Sequence, residues 1–104
     1  MGKTSHLKSL VNMIAKVVLH TVLARHTNRA ESVTFLNHEI DEYRANAEEK
    51  AQSYNWNNED RENVKKEALN LINKYKTTKY SDVEFPEKEI DKVLDEVIEE
   101  IMGS

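Results

Sequence analysis

Glu39 and Glu42 stand three residues apart, and Glu67 follows further along the chain. Acids at i and i+3 share one face of a helix, and clustered carboxylate oxygens are the hard ligands that magnesium takes. With no cysteine in the sequence, thiolate ligands, disulfides and thiol nucleophiles are excluded. Histidine offers less. His38 and Glu42 are four apart and would sit side by side as half a metal site, but there is no H-E-x-x-H pair. His20 and His26 are six apart and fall near opposite sides of a helix. No G-x-S-x-G is present, and both glycines lie near a terminus, so a phosphate-cradling loop has no residues to build it.

The carboxylate pattern is similar in part to that of the all-α nucleotide pyrophosphohydrolases. Those proteins carry Glu-Glu-x-x-Glu on one helix and Glu-x-x-Asp on a later one, so that four acids face inward around magnesium. Here Glu39, Glu42 and Glu67 match, while His38 stands in place of the first acid and Asn70 in place of the last. Each departure removes a charge the metal needs. His38-Glu39-Ile40 is also similar to the phosphoacceptor segment of histidine kinases, but Asp41-Glu42-Tyr43 lacks the basic residue and proline that follow there. The residues identify no specific family.

Two binding chemistries remain. Lys65, Lys66, Lys74, Lys76 and Lys79 with Tyr75 and Tyr80 combine phosphate-pairing charge with stacking rings, the ingredients of a nucleic-acid surface. Lys3, Lys8, Arg25 and Arg29 would extend it if the two basic blocks lay together. Alternatively, Leu19, Leu23, Phe35 and Trp56 are the residues hardest to place on a core stripe: exposed together they would anchor a protein partner, or else a fully wrapped first helix covers Leu19 and Leu23 and Trp56 plugs the inter-helix corner.

The elements that must position these residues are helices. Two glycines, one proline and 33% charged residues favour long helices over turn-rich sheets. Residues 7–24 form the most apolar stretch: Leu7, Leu10, Val11, Ile14, Val17, Val18 and Val22 share a face at about 100° per residue. Met13 and Ala24 flank that face, Leu19 and Leu23 spill past it, and Asn12, Lys16 and His20 mark the one polar strip. So wide an apolar surface must be covered from several directions. A second segment carries Val33, Leu36, Ile40, Tyr43, Ala47, Lys50 and Tyr54 at heptad spacing, with Ala47 and Lys50 as poor seam residues. Val64, Ala68, Leu71, Ile72 and Tyr75 stripe a third, after the Asn55-Trp56-Asn57-Asn58 turn. Ile90, Val93, Leu94, Val97, Ile98 and Ile101 stripe a fourth that Pro86 opens, with Val83 or Phe85 as its hydrophobic staple.

Charge runs in blocks. Residues 1–30 hold five basic side chains and no acid, residues 31–63 are acidic, residues 64–80 basic, and the remainder acidic, for a net charge of −4. Such blocks pair when neighbouring helices pack. Asn12, Lys16 and His20 interrupt the first segment as a membrane span or secretory core, and removing it as a transit peptide would take away the main core helix. Gly2 lacks the hydroxyl residue that myristoylation wants at position 6, where His6 stands.

The expectation is an all-α, four-helix bundle-like single domain over residues 1–104, with helices at about 5–26, 29–55, 58–76 and 86–102. The first helix is expected to start at the hydroxyl cap of Thr4 or Ser5, and Thr27-Asn28 to break it from the second. The expected function is non-enzymatic: a cytoplasmic adaptor, regulator or inhibitor that binds a protein, its own copy included, with no cofactor and no membrane. Nucleic-acid binding through residues 65–79 is the alternative, and a magnesium-dependent enzyme the second alternative.

Overall fold

The computed structural model describes residues 2–26, 30–52, 55–78 and 86–103. They form α1 (Gly2–His26), α2 (Ala30–Ala51), α3 (Asn58–Thr78) and α4 (Glu87–Met102), with no strand among the described residues. The expected break at Thr27-Asn28, the seam residue Tyr54 and the staple residues Val83 and Phe85 lie outside the described residues.

At 1.5 Å per residue the 25 residues of α1 span about 37 Å, nearly the full 39 Å long axis of the molecule. Every other helix packs on it. Leu10, Ile14, Ala15, Val17, Val18 and Val22 are fully buried, joined by Leu36, Ile40, Ala47 and Ala51 of α2 and Val64, Ala68 and Ile72 of α3. The whole expected stripe of α4 is buried too, with Met102 added to it. By length and composition Ser5–His26 is apolar enough to cross a membrane, so its three polar residues interrupt it less than the sequence reading supposed. In this fold that apolar surface is spent on the three neighbouring helices.

The ends differ from expectation by a few residues, for local reasons. α1 begins at Gly2, upstream of the expected Thr4 or Ser5 cap; Lys and Thr differ from good helix formers by only a few tenths of a kcal/mol, too little to force a start. α2 stops at Ala51 rather than Asn55 because Trp56 folds back, its Nε1–H donating to the Ala51 carbonyl at 2.8 Å. That bond satisfies one of the open carbonyls of the last turn. α3 opens on a reciprocal cap: the Asp60 amide donates to Asn57 Oδ1 at 2.8 Å, and the Asn57 amide to Asp60 Oδ2 at 3.2 Å. It runs past Lys76 to Thr78, where the Thr77 and Thr78 hydroxyls both donate to the Lys74 carbonyl. Pro86 is the N-cap of α4 rather than its first helical residue. Arg61 ties the corner together, donating to the Trp56 carbonyl at 3.0 Å and to Met102 at the end of α4 at 3.4 Å.

Ion pairs set the helix directions. At the C-terminus of α1, Arg25 and His26 reach Glu89 near the start of α4, at 3.3 and 2.7 Å. Lys65 of α3 bridges Asp91 and Asp95 of α4, and Arg44 of α2 meets Glu100. α4 therefore runs antiparallel to α1 and, by Arg61 and Lys65, to α3. The basic blocks do pair with the acidic last helix, as the charge pattern implies. α1 and α4 touch each other and both flanking helices, whereas α2 and α3 make no close approach among the described residues. Around the bundle the order is α1, α2, α4, α3, with α1–α4 the short diagonal.

Replacing Ile14, fully buried at the centre of α1, with alanine is expected to lower the unfolding free energy by about 2–4 kcal/mol. Phe35→Ala should stay within about 0.5 kcal/mol of the parent. Urea denaturation followed by helical circular dichroism measures both. The hydrogen bond from His26, with Arg25 beside it, holds the Glu89 carboxyl below its ordinary 4.5, against the opposing effect of burial. A depressed carboxylate stabilises the fold above its unfolded pKa and loses that contribution as pH falls through its folded one. Acidification below about pH 4.5 should therefore weaken the protein, and Glu89→Gln should flatten that limb while lowering stability at pH 7 by about 0.5–1 kcal/mol. A melt series from pH 7 to the acid limb decides it.

Candidate functional site

Because α2 and α3 stay apart, the outer side of α1 between them is left as the floor of a groove. Its floor residues are the polar strip of an otherwise apolar helix: Lys8, Asn12, Lys16 and His20, each four residues from the next. An i, i+4 row drifts by about 40° per step around a helix, so the floor winds slowly from the α3 side toward α2. Two clefts lie along it. Near the start of α1, a cavity of about 470 Å³ is lined by Leu7, Lys8, Val11 and Asn12 with Asn63, Val64, Glu67 and Leu71 of α3. Further along, one of about 280 Å³ is lined by Lys16, Leu19 and His20, by Phe35, Glu39 and Tyr43 of α2, and by Tyr75 of α3.

The second cleft carries the denser chemistry. Phe35, Glu39 and Tyr43 repeat every four residues and form one wall. The Lys16 ammonium sits 5.1 Å from the centre of the Tyr43 ring, a cation–π contact of about 0.5–1 kcal/mol at an exposed site. His20 also approaches the same ring, with ring centres 5.9 Å apart and planes tilted by 32°. Phe35 stands at the rim, 62% exposed, and is the one large apolar side chain among the described residues left mainly in solvent. The cleft thus offers an aromatic surface, one cation and one carboxylate within a single concavity.

The proposed anchor patch is redistributed. Leu19 is in the core at 2% exposure, because α1 is covered from three sides and its spill-over residues still meet a neighbour. Leu23 is half-buried against that core. Trp56 plugs the corner beyond the C-terminus of α2, at the opposite end of that helix from Phe35. Of the four, only Phe35 remains available. The groove residues Lys16, His20, Glu39, Tyr43 and Tyr75 were not grouped by sequence, although the polar strip on α1 was the signal for the first two.

The lysine block is not one surface either. Lys65 is neutralised by Asp95 and Asp91, whose hydrogen bonds and charge raise its pKa above 10.5. Lys76 borders a cleft with Glu87 and Asp91, while Tyr75 turns the other way into the groove. Lys66 and Lys74 are exposed. Lys79 and Tyr80 lie outside the described residues, as do Arg29 and the side chain of Lys3. On the other basic block, Lys8 lies beside Glu67 in the first cleft and Arg25 is held by Glu89.

Nor do the carboxylates converge. Glu39 is in the second cleft, Glu42 is exposed on α2, and Glu67 is in the first cleft on α3, a helix that α2 does not touch. Among the described residues no three His, Asp or Glu side chains are grouped to hold a metal. In comparison with known proteins, no family model, no curated protein and no solved structure matches this chain, so a functional reading has to stand on the groove itself.

Proposed function

We propose that this chain is a non-enzymatic helical module that binds a protein through the groove over α1, as an adaptor, regulator or inhibitor does. The observation that supports it is Phe35. A phenylalanine facing solvent at the mouth of a concavity, with Tyr43 and Tyr75 beside it, is the composition of an interface core rather than of an idle surface. Burying such a ring on association contributes about 1.5–3 kcal/mol, and the aromatic walls add directional contacts. Lys16 and Glu39 supply the polar rim that orients a partner.

A photo-crosslinking amino acid in place of Phe35, in the full chain expressed in its native host, tests the reading. A discrete protein adduct is expected from position 35 and none from the same group at Glu96, an exposed site on α4. No adduct from either position, or the same smear from both, would overturn it. Where an adduct forms, Phe35→Ala should weaken that complex by about tenfold or more without changing the helical circular dichroism spectrum.

A further inference from the structure

We propose that the groove's partner is a second copy of this chain, docked groove to groove about a two-fold axis. Phe35 of each copy then enters the other's groove, and Lys16 of each faces Glu39 of the other. The inference rests on the groove being a protein contact.

The size of the second cleft is the first argument. At about 280 Å³ it lies at the small end for ligand cavities, roughly 300–1,000 Å³, and has room for one large side chain. Phe35 both lines this cleft and projects from its rim, so each copy presents the plug and the socket on one patch. A surface with both is what an isologous interface requires, since residue i meets j of the partner while j meets i.

Charge is the second. Arg25, Arg44 and Lys65 all have carboxylates within ion-pair distance. In the cleft, by contrast, neither Lys16 nor Glu39 has an ion-pair partner within 4 Å among the described residues. Lys16 rests on a ring face instead. A purely acidic partner would satisfy Lys16 and repel Glu39, and a basic one would do the reverse. A two-fold mate satisfies both, because it brings the same cation and the same anion in exchanged positions. His20 shares the cleft and would lie near the axis, between the two exchanged pairs.

Sedimentation of the full chain from about 1 µM to about 1 mM reads the association directly, with the parent approaching twice the 12.1 kDa protomer mass. Lys16→Glu and Glu39→Lys should each weaken self-association by at least about tenfold, since each sets like charges opposite one another twice. Mixed in equal amounts, the two variants should dimerise again, because the heterodimer restores both opposite-charge contacts. The double variant should dimerise with itself. Phe35→Asp should be monomeric with an unchanged helical spectrum, and if that variant fails to fold, the charge-swap mixture decides alone. A monomer at every concentration, or a dimer indifferent to both swaps, or a mixture that stays monomeric, overturns the proposal. A monomeric chain whose position 35 still crosslinks a different protein would remove the self-pairing and leave the groove's function standing. Absence of both would remove both.

Discussion

The structure depends on one constraint: α1 is apolar on too many sides for any single neighbour to cover. Seven positions form its main face, and Ala15 and Leu19 are buried beyond them. At roughly 25 cal/mol per Å² of apolar surface removed from water, leaving that much of a helix uncovered would outweigh the few kcal/mol that separate folded from unfolded chains. Three helices must therefore lie on it. The described residues supply three others, and the arrangement that brings all of them to α1 draws α1 toward α4. That same displacement holds α2 and α3 apart. The groove is thus a by-product of covering α1, placed where its polar strip needs no cover.

Electrostatics then selects among the ways of arranging three helices around one. α4 carries the densest acidic surface, and cations from each of the other helices reach it: Arg25 from α1, Arg44 from α2, Lys65 from α3. These pairs are at least partly exposed, and each is worth little in isolation. Their collective effect is to hold α4 against all three of the other helices at once. The net charge of −4 conceals this complementarity, which appears only when the chain is divided into blocks.

Much of this was legible in the sequence. A 3.6-residue period is a strong signal: the expected stripe of α4 is wholly buried and those of α1 and α3 mostly so, while Leu7, Leu71 and Tyr75 are half-buried beside the clefts over α1. Ala47 and Lys50 look like weak seam residues, yet Ala47 is fully buried, because a small side chain lets α2 lie close to α1. Leu19 spills past the main stripe on a helical wheel yet is buried, because a wheel supposes one core direction and α1 has three. Trp56 fills the inter-helix corner, one of its two expected places, through a bond onto Ala51 that depends on a backbone turn periodicity does not describe. The groove was illegible for a deeper reason. Its members come from three helices, and what unites them is the separation of α2 from α3, a distance that no residue pattern encodes. The polar strip Asn12, Lys16, His20 nevertheless marked where solvent would reach α1.

The missing contact between α2 and α3 also bears on how the chain comes together. Helices joined by short connections ordinarily meet early, since little loop entropy opposes them. Here the second and third are consecutive yet share no native interface, so their connection can nucleate nothing. α3 and α4 each lie chiefly against α1 rather than against one another, so the later pair gains most of its native interface only once the N-terminal rod is in place. The closing contacts are therefore long-range ones along a single rod, which places the cost of loop closure late.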